Sequence, residues 1–156
     1  MKKTEPIRDK KMLRQLAEYW QRRGNLRNYV LIILGVSTAL RISDLLKLTW
    51  QDVYDEERGT FRSHIFLKEQ KSGKNKQIAL NKAAIQALQR YYPHRRGDFI
   101  FANNRKDAGP ICREQAWRII TAATKGLNLS GPLGCHGTQA DLDEVYLSLK
   151  LFEGLI

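Results

Sequence analysis

Cysteine is scarce in this chain, and the two present, Cys112 and Cys135, fit neither a disulfide framework nor the spacing of a metal-ligand set. They read as reduced thiols that pack passively, and neither a metal nor another cofactor is implied. Long apolar runs are missing too. The longest strongly apolar stretch, Tyr29 to Val36, falls far short of the roughly 20 residues that a membrane-spanning helix needs. Met1-Lys2-Lys3 starts as a secretory leader would, but polar residues from Thr4 to Lys11 stand where its apolar segment belongs. Repeats, low-complexity tracts and linkers are also lacking. These absences lead us to expect one soluble, cytoplasmic domain with no membrane partner and no small-molecule substrate.

Acidic residues are outnumbered. Against 27 Lys+Arg stand 16 Asp+Glu, a formal net charge of +11 at pH 7, and a surface this basic seeks polyanions. Nucleic acid is the leading class of partner, and the position of the cations has to decide. At 156 residues, with 42% hydrophobic and 28% charged residues, the chain has the composition of a globular domain able to bury about two-thirds of its unfolded surface.

Met12, Leu13, Leu16, Tyr19 and Trp20 recur at helical spacing, which predicts a first helix from Asp9 to Arg23, stopped by Gly24-Asn25. Tyr29, Ile32, Ile33 and Val36 predict a buried second helix that gives way at Ser37-Thr38-Ala39. Glu56 to Gly59 is a turn, and Phe61 to Leu67 reads as a half-exposed strand. Lys68 to Leu80 then has the makings of a hairpin turning at Ser72 to Asn75, with Lys71, Lys74 and Lys76 at its tip. Asn81 is a candidate N-cap for a helix ending before Pro93. Phe99-Ile100-Phe101 is a short extended piece, Asn103 to Gly109 a polar loop, and Pro110 the start of a last helix that stops at Gly126. Trp20, Trp50 and Trp117 fall on apolar faces and are assigned to the core, while His64 and His94 have surface or structural roles. The expected class is α+β, a mostly helical single domain with a small antiparallel sheet.

The most telling stretch runs from Thr38 to Val53 and reads Thr-Ala-Leu-Arg-Ile-Ser-Asp-Leu-Leu-Lys-Leu-Thr-Trp-Gln-Asp-Val. Arg41 heads an apolar helical stripe, so its guanidinium, a planar fork of donors matched to phosphate oxygens, is carried on a packed scaffold. Asp44 lies three residues on and is placed to hold the Arg41 side chain.

Together with Lys71-Ser72-Gly73-Lys74 on the hairpin and the returning Gln77-Ile78-Ala79-Leu80, this stretch resembles the catalytic domain of the tyrosine recombinases, the integrases of phages and transposons. The resemblance covers Thr4 to His136, with Ala39 where the family's first arginine box often has glycine. It implies attack by a tyrosine on a DNA phosphodiester and a 3′-phosphotyrosyl intermediate, assisted by two arginines, a lysine and histidines. On these positions it implies that Arg41 steadies the charged transition state, that Lys71 protonates the departing 5′-oxygen, and that His136 assists. Lys74 and Lys76 on the hairpin, and Arg105, Lys106 and Arg113 around the later loop, are candidate contacts to the DNA backbone.

The pattern breaks after His136. The family's second box is His-x-x-Arg, and here the fourth residue is Gln139. Tyr146, the tyrosine that remains beyond the box, stands too close to it to be the family's nucleophile. Residues from Ala140 onward, with Asp141, Asp143, Glu144 and Glu153, are more acidic than the rest. The reading divides the chain into an incomplete integrase-like catalytic domain, residues 1 to 136, and an atypical tail, 137 to 156, truncated or replaced as by a frameshift. The family's preceding arm-binding or core-binding domain is not recognised either. Two functions follow as expectations: site-specific DNA recombination, impaired in this chain, or a noncatalytic DNA-binding module that regulates a full-length recombinase. Duplex DNA and other recombinase protomers are the partners implied.

Overall fold

Residues 10–38, 40–68 and 73–127 are described by the computed structural model, the side chains of 10–13 excepted. Its centre is a helix. α2 (Leu26–Thr38) carries apolar side chains round most of its circumference, and Val30, Leu31, Ile32 and Leu34 are all buried. A helix apolar on several faces must be covered on several sides. α1 (Lys10–Arg22) and α5 (Lys82–Tyr91) pack against it. α6 (Arg113–Gly126) closes the α1 side, where Leu16, Ile32, Trp117, Ile120 and Ala123 form a small core of their own. Trp20 joins the two helices by donating from Nε1 to the Ile119 carbonyl at 3.1 Å.

The larger core gathers α2, α5 and everything between them. α3 (Ile42–Leu46) and α4 (Trp50–Val53) supply Leu45, Leu46, Trp50 and Val53. Asp52 fixes the start of α4 by accepting from the Thr49 backbone N–H at 2.8 Å and from its hydroxyl at 3.0 Å. Two antiparallel hairpins follow. β1 (Tyr54–Asp55) pairs with β2 (Thr60–Phe61) around Gly59, whose φ of +65° suits a residue without a Cβ. β3 (His64–Lys68) pairs with β4 (Asn75–Ala79) in a register that sets Ile65 opposite Ile78 and Lys68 opposite Asn75. Ile65 and Ile78 are buried, so the base of this hairpin is anchored in the core.

Most expected elements are present, with four differences. The strand expected over Phe61 to Leu67 is divided between β2 and β3, because the Arg62 N–H turns away to the Val53 carbonyl at 2.7 Å. Phe99 to Phe101 is not a strand but a bridged turn, tied to the chain before α4 through Trp50 N–H to Asp98 O and Ile100 N–H to Leu48 O. Pro110 does not begin the last helix. It bridges Ala102, and Ile111 donates to Phe101 O at 2.9 Å, so the chain stays extended until Cys112 and the helix begins at Arg113. Cys112 is exposed rather than passively packed. Asn81, by contrast, caps α5 as expected, accepting from the Ala84 N–H at 2.8 Å. Trp50 and Trp117 are buried and Trp20 half-buried, as their apolar spacing requires.

Candidate nucleic-acid interface

Arg41 owes its position to its neighbours. The buried Thr38 hydroxyl donates to the Leu34 carbonyl at 2.6 Å and accepts from the Leu40 N–H at 3.4 Å, which ties the end of α2 to the segment that follows. Leu40 and Ile42, on either side of Arg41, are both buried. The Arg41 carbonyl accepts the first bond of α3, from Leu45 N–H at 2.9 Å. The backbone of Arg41 is thus held on both sides, while its side chain is exposed and makes no hydrogen bond or ion pair with any described residue. A cation fixed at its root and open at its tip has only its own side chain to order on meeting an anion. Thr38 contributes a role that sequence reading missed, since a threonine at a helix end carries no distinctive signal.

The expected pairing of Asp44 with Arg41 is not formed. Arg41 is the N-cap of α3, with extended φ of −63° and ψ of 147°, and the three-residue proximity of side chains holds only between residues that are both helical. Asp44 instead occupies the first turn of α3, where a carboxylate complements the helix dipole.

The hairpin of β3 and β4 rests on the same core as the flanks of Arg41, since Leu40, Ile42, Ile65, Ile78 and Leu80 all belong to one cluster. Lys76 pairs in register with Leu67, and Lys74 directly precedes β4. Lys71 and His136, with Gln139 and Tyr146, lie outside the described residues. Arg105 and Lys106 are exposed on the loop closed by Asn103 N–H to Gly109 O at 2.7 Å. No hydrogen bond or ion pair among the described residues joins this loop to Arg41. Arg113 opens α6 with its guanidinium 5.5 Å from the centre of the Trp117 ring.

One broad groove is unsuited to a polyanion. About 700 Å³ in volume, it runs beside α4 and β1 and is lined by Asp55, Glu56, Glu57 and Asp98 as well as Arg62 and Arg95. Asp55 already engages Arg58 and Arg62 at 3.9 Å each. The described residues hold no cluster of metal-ligating side chains, and none of their helices is long and apolar enough to cross a membrane.

Solved structures share this fold. The XerA recombinase superposes with a TM-score of 0.65 at 16% identity, over 94% of this chain and 50% of that one. A lambda integrase dimer bound to a COC′ core site gives 0.64 at 19%, over all of this chain and 43% of that one. The fold is that of a tyrosine recombinase catalytic domain. In sequence, the probable integrase/recombinase YoeC of Bacillus subtilis (strain 168) is 29% identical over 133 residues, 85% of this chain and 69% of that protein. The phage integrase family model matches residues 7–140, and the chain belongs to that family. It spans about half the length of the recombinase structures it resembles.

Proposed function

We propose that this domain binds duplex DNA and serves site-specific recombination, with Arg41 holding a nonbridging phosphate oxygen at the reacting phosphodiester. The observation that carries this is the exposed guanidinium on an immobilised N-cap. A transition state that gains charge on phosphate oxygens is best met by donors that need little reorganisation, and here the backbone that carries the guanidinium is already held while the side chain orders on the DNA. Lys71 supplies the proton for the leaving 5′-oxygen and His136 assists, with Lys74, Lys76, Arg105, Lys106 and Arg113 on the backbone around them. Residues 1–136 form the DNA-handling domain and 137–156 an atypical tail. The solved lambda integrase is a dimer bound to a COC′ core site, and a solved Tn1549 transposon integrase is in complex with circular intermediate DNA, which supports duplex DNA and other protomers as partners.

Cleavage by this chain alone is impaired on two counts, because Tyr146 stands too close to His136 to be the attacking nucleophile and the second arginine is missing. Gln139 stands where the family's second arginine is expected, and losing one transition-state donor costs roughly a hundred- to a thousandfold in rate. The same substitution favours a second reading, a DNA-binding regulator of a full-length recombinase. Binding of a duplex, followed by fluorescence anisotropy over a salt series, tests the first claim. Arg41→Gln should weaken binding and lower the slope of log affinity on log salt by about 0.9, the loss of one phosphate contact. A chain that ignores duplex DNA at low ionic strength refutes it. A strand-cleavage assay that traps phosphotyrosyl DNA should yield little product. Covalent DNA on Tyr146 refutes the impairment. Added to a full-length relative, a regulator should inhibit recombination.

A further inference from the structure

A second basic place lies at the other end of α2. A cavity of about 570 Å³, between the α1–α2 turn and the chain after α5, is lined by Arg23, Arg27, Tyr91, His94, Arg96 and Asn104, and no carboxylate lines it. Arg27 is half-buried and held flat by two neutral oxygens. Its Nε donates to Asn28 Oδ1 and its Nη1 to the Ala102 carbonyl, each at 3.1 Å. Its Nη2 makes no hydrogen bond among the described residues. Arg96 is steadied in the same manner, by Nη1 to Asn104 Oδ1 at 3.1 Å, and Arg23 lies over the Tyr19 ring, 4.3 Å from its centre. None of the three enters an ion pair among the described residues.

Cations withdrawn from water are ordinarily paired with an anion. Here burial, and then the nearby charge of Arg96, push the Arg27 pKa below its ordinary value, against a partial offset from Tyr91. The fold therefore assembles positive charge and supplies only neutral acceptors to orient it. Oriented guanidinium forks without a carboxylate match the tetrahedral oxygens of a phosphate.

We propose that this cavity binds a phosphate group, at a site separate from Arg41 by the length of α2. The interval from Arg27 to Thr38 spans about 17 Å at 1.5 Å per residue. The phosphate belongs either to a DNA backbone outside the reacting ester or to a free phosphate. Arg105 and Lys106 follow Asn104 directly on the exposed loop and extend the basic surface outward, which suits a backbone.

The test uses the whole chain and reads the amide resonances of Arg27, Asn28 and Arg96. Inorganic phosphate is titrated at constant ionic strength against chloride, and a random-sequence duplex in a parallel series. Saturable shifts of these amides with phosphate, abolished in Arg23→Gln/Arg96→Gln, are expected. Both residues are exposed, so the double variant should keep its fold, and its amide spectrum elsewhere reports that directly. If the duplex moves the same amides and the double variant lowers the salt slope of DNA binding by about 0.9, the phosphate is the backbone's. Shifts with phosphate and an unchanged slope assign the site to free phosphate. Amides that respond to neither probe overturn the proposal. The outcome is independent of Arg41, since Arg41→Gln leaves these local shifts in place whether or not recombination is the domain's role.

Discussion

Replacing Thr38 by valine separates the support of Arg41 from its charge. Valine keeps the shape and removes the hydroxyl that links Leu34 O to Leu40 N–H, a swap that is not neutral despite similar volume. Thr38 is 5% exposed, so in the variant the Leu40 N–H loses its acceptor in a largely buried place. A typical hydrogen bond contributes about 1 kcal/mol, and a buried donor left unsatisfied costs about 1–3 kcal/mol. The variant should therefore lose roughly 1–3 kcal/mol of stability in urea unfolding, with an unchanged denaturant slope. The same loss frees the backbone before Arg41. Ordering that backbone again on DNA costs about 1–2 kcal/mol, or roughly five- to thirtyfold in affinity. Because the guanidinium is still present, the salt slope should stay as in the parent. Arg41→Gln should do the reverse, changing stability by less than about 0.5 kcal/mol, as exposed substitutions do, while lowering the slope. A Thr38→Val protein with parental stability and weaker slope, or an Arg41→Gln protein that unfolds early, refutes the assignment of scaffold and ligand roles.

Gly126 lies where α6 meets α1, and a Cβ there would coincide with the Tyr19 ring; although alanine is the better helix former by about 1 kcal/mol, Gly126→Ala should destabilise by about 1–3 kcal/mol, and Tyr19→Ala in the same protein should relieve the clash in a double-mutant cycle. Phe101 is fully buried, so Phe101→Ala should cost about 3–5 kcal/mol in denaturant unfolding, and a cost below 1 kcal/mol would mean that the bridged turn is not packed as described. Burial pushes the Tyr91 phenol above its ordinary 10.0, with Arg27 and Arg96 offsetting part of the rise. The neutral phenol is favoured in the folded state, so its contribution is complete below the unfolded value and is lost as pH climbs from there through the folded value. Stability measured across that alkaline range should fall less steeply in Tyr91→Phe than in the parent.

What could be read from the residues was local. The cap at Asn81 needs one side chain and an N–H three residues on, and the Arg41 stretch is contiguous, so both were visible without a fold. The start of α6 was not. Pro110 has the backbone angle suited to a first helical residue, but pairing with Ala102 across the loop, which neither a local pattern nor periodicity signals, keeps it extended. The same limit hid the second basic cavity, whose lining comes from the α1–α2 turn, the end of α5 and the loop beyond, brought together only by packing. Asp44 illustrates a subtler failure, in which correct spacing was applied across a helix boundary that Arg41 itself marks. Lys71 and His136, assigned through family resemblance, lie outside the described residues.

The acidic groove beside α4 gives a molecule of net charge +11 an uneven field. Such a body behaves at a distance as a dipole as well as a point charge, and a polyanion exerts a torque on it before any contact forms. Association should then be faster than its surface area alone allows, and the gain should shrink as the Debye length contracts to about 10 Å near 0.1 M salt.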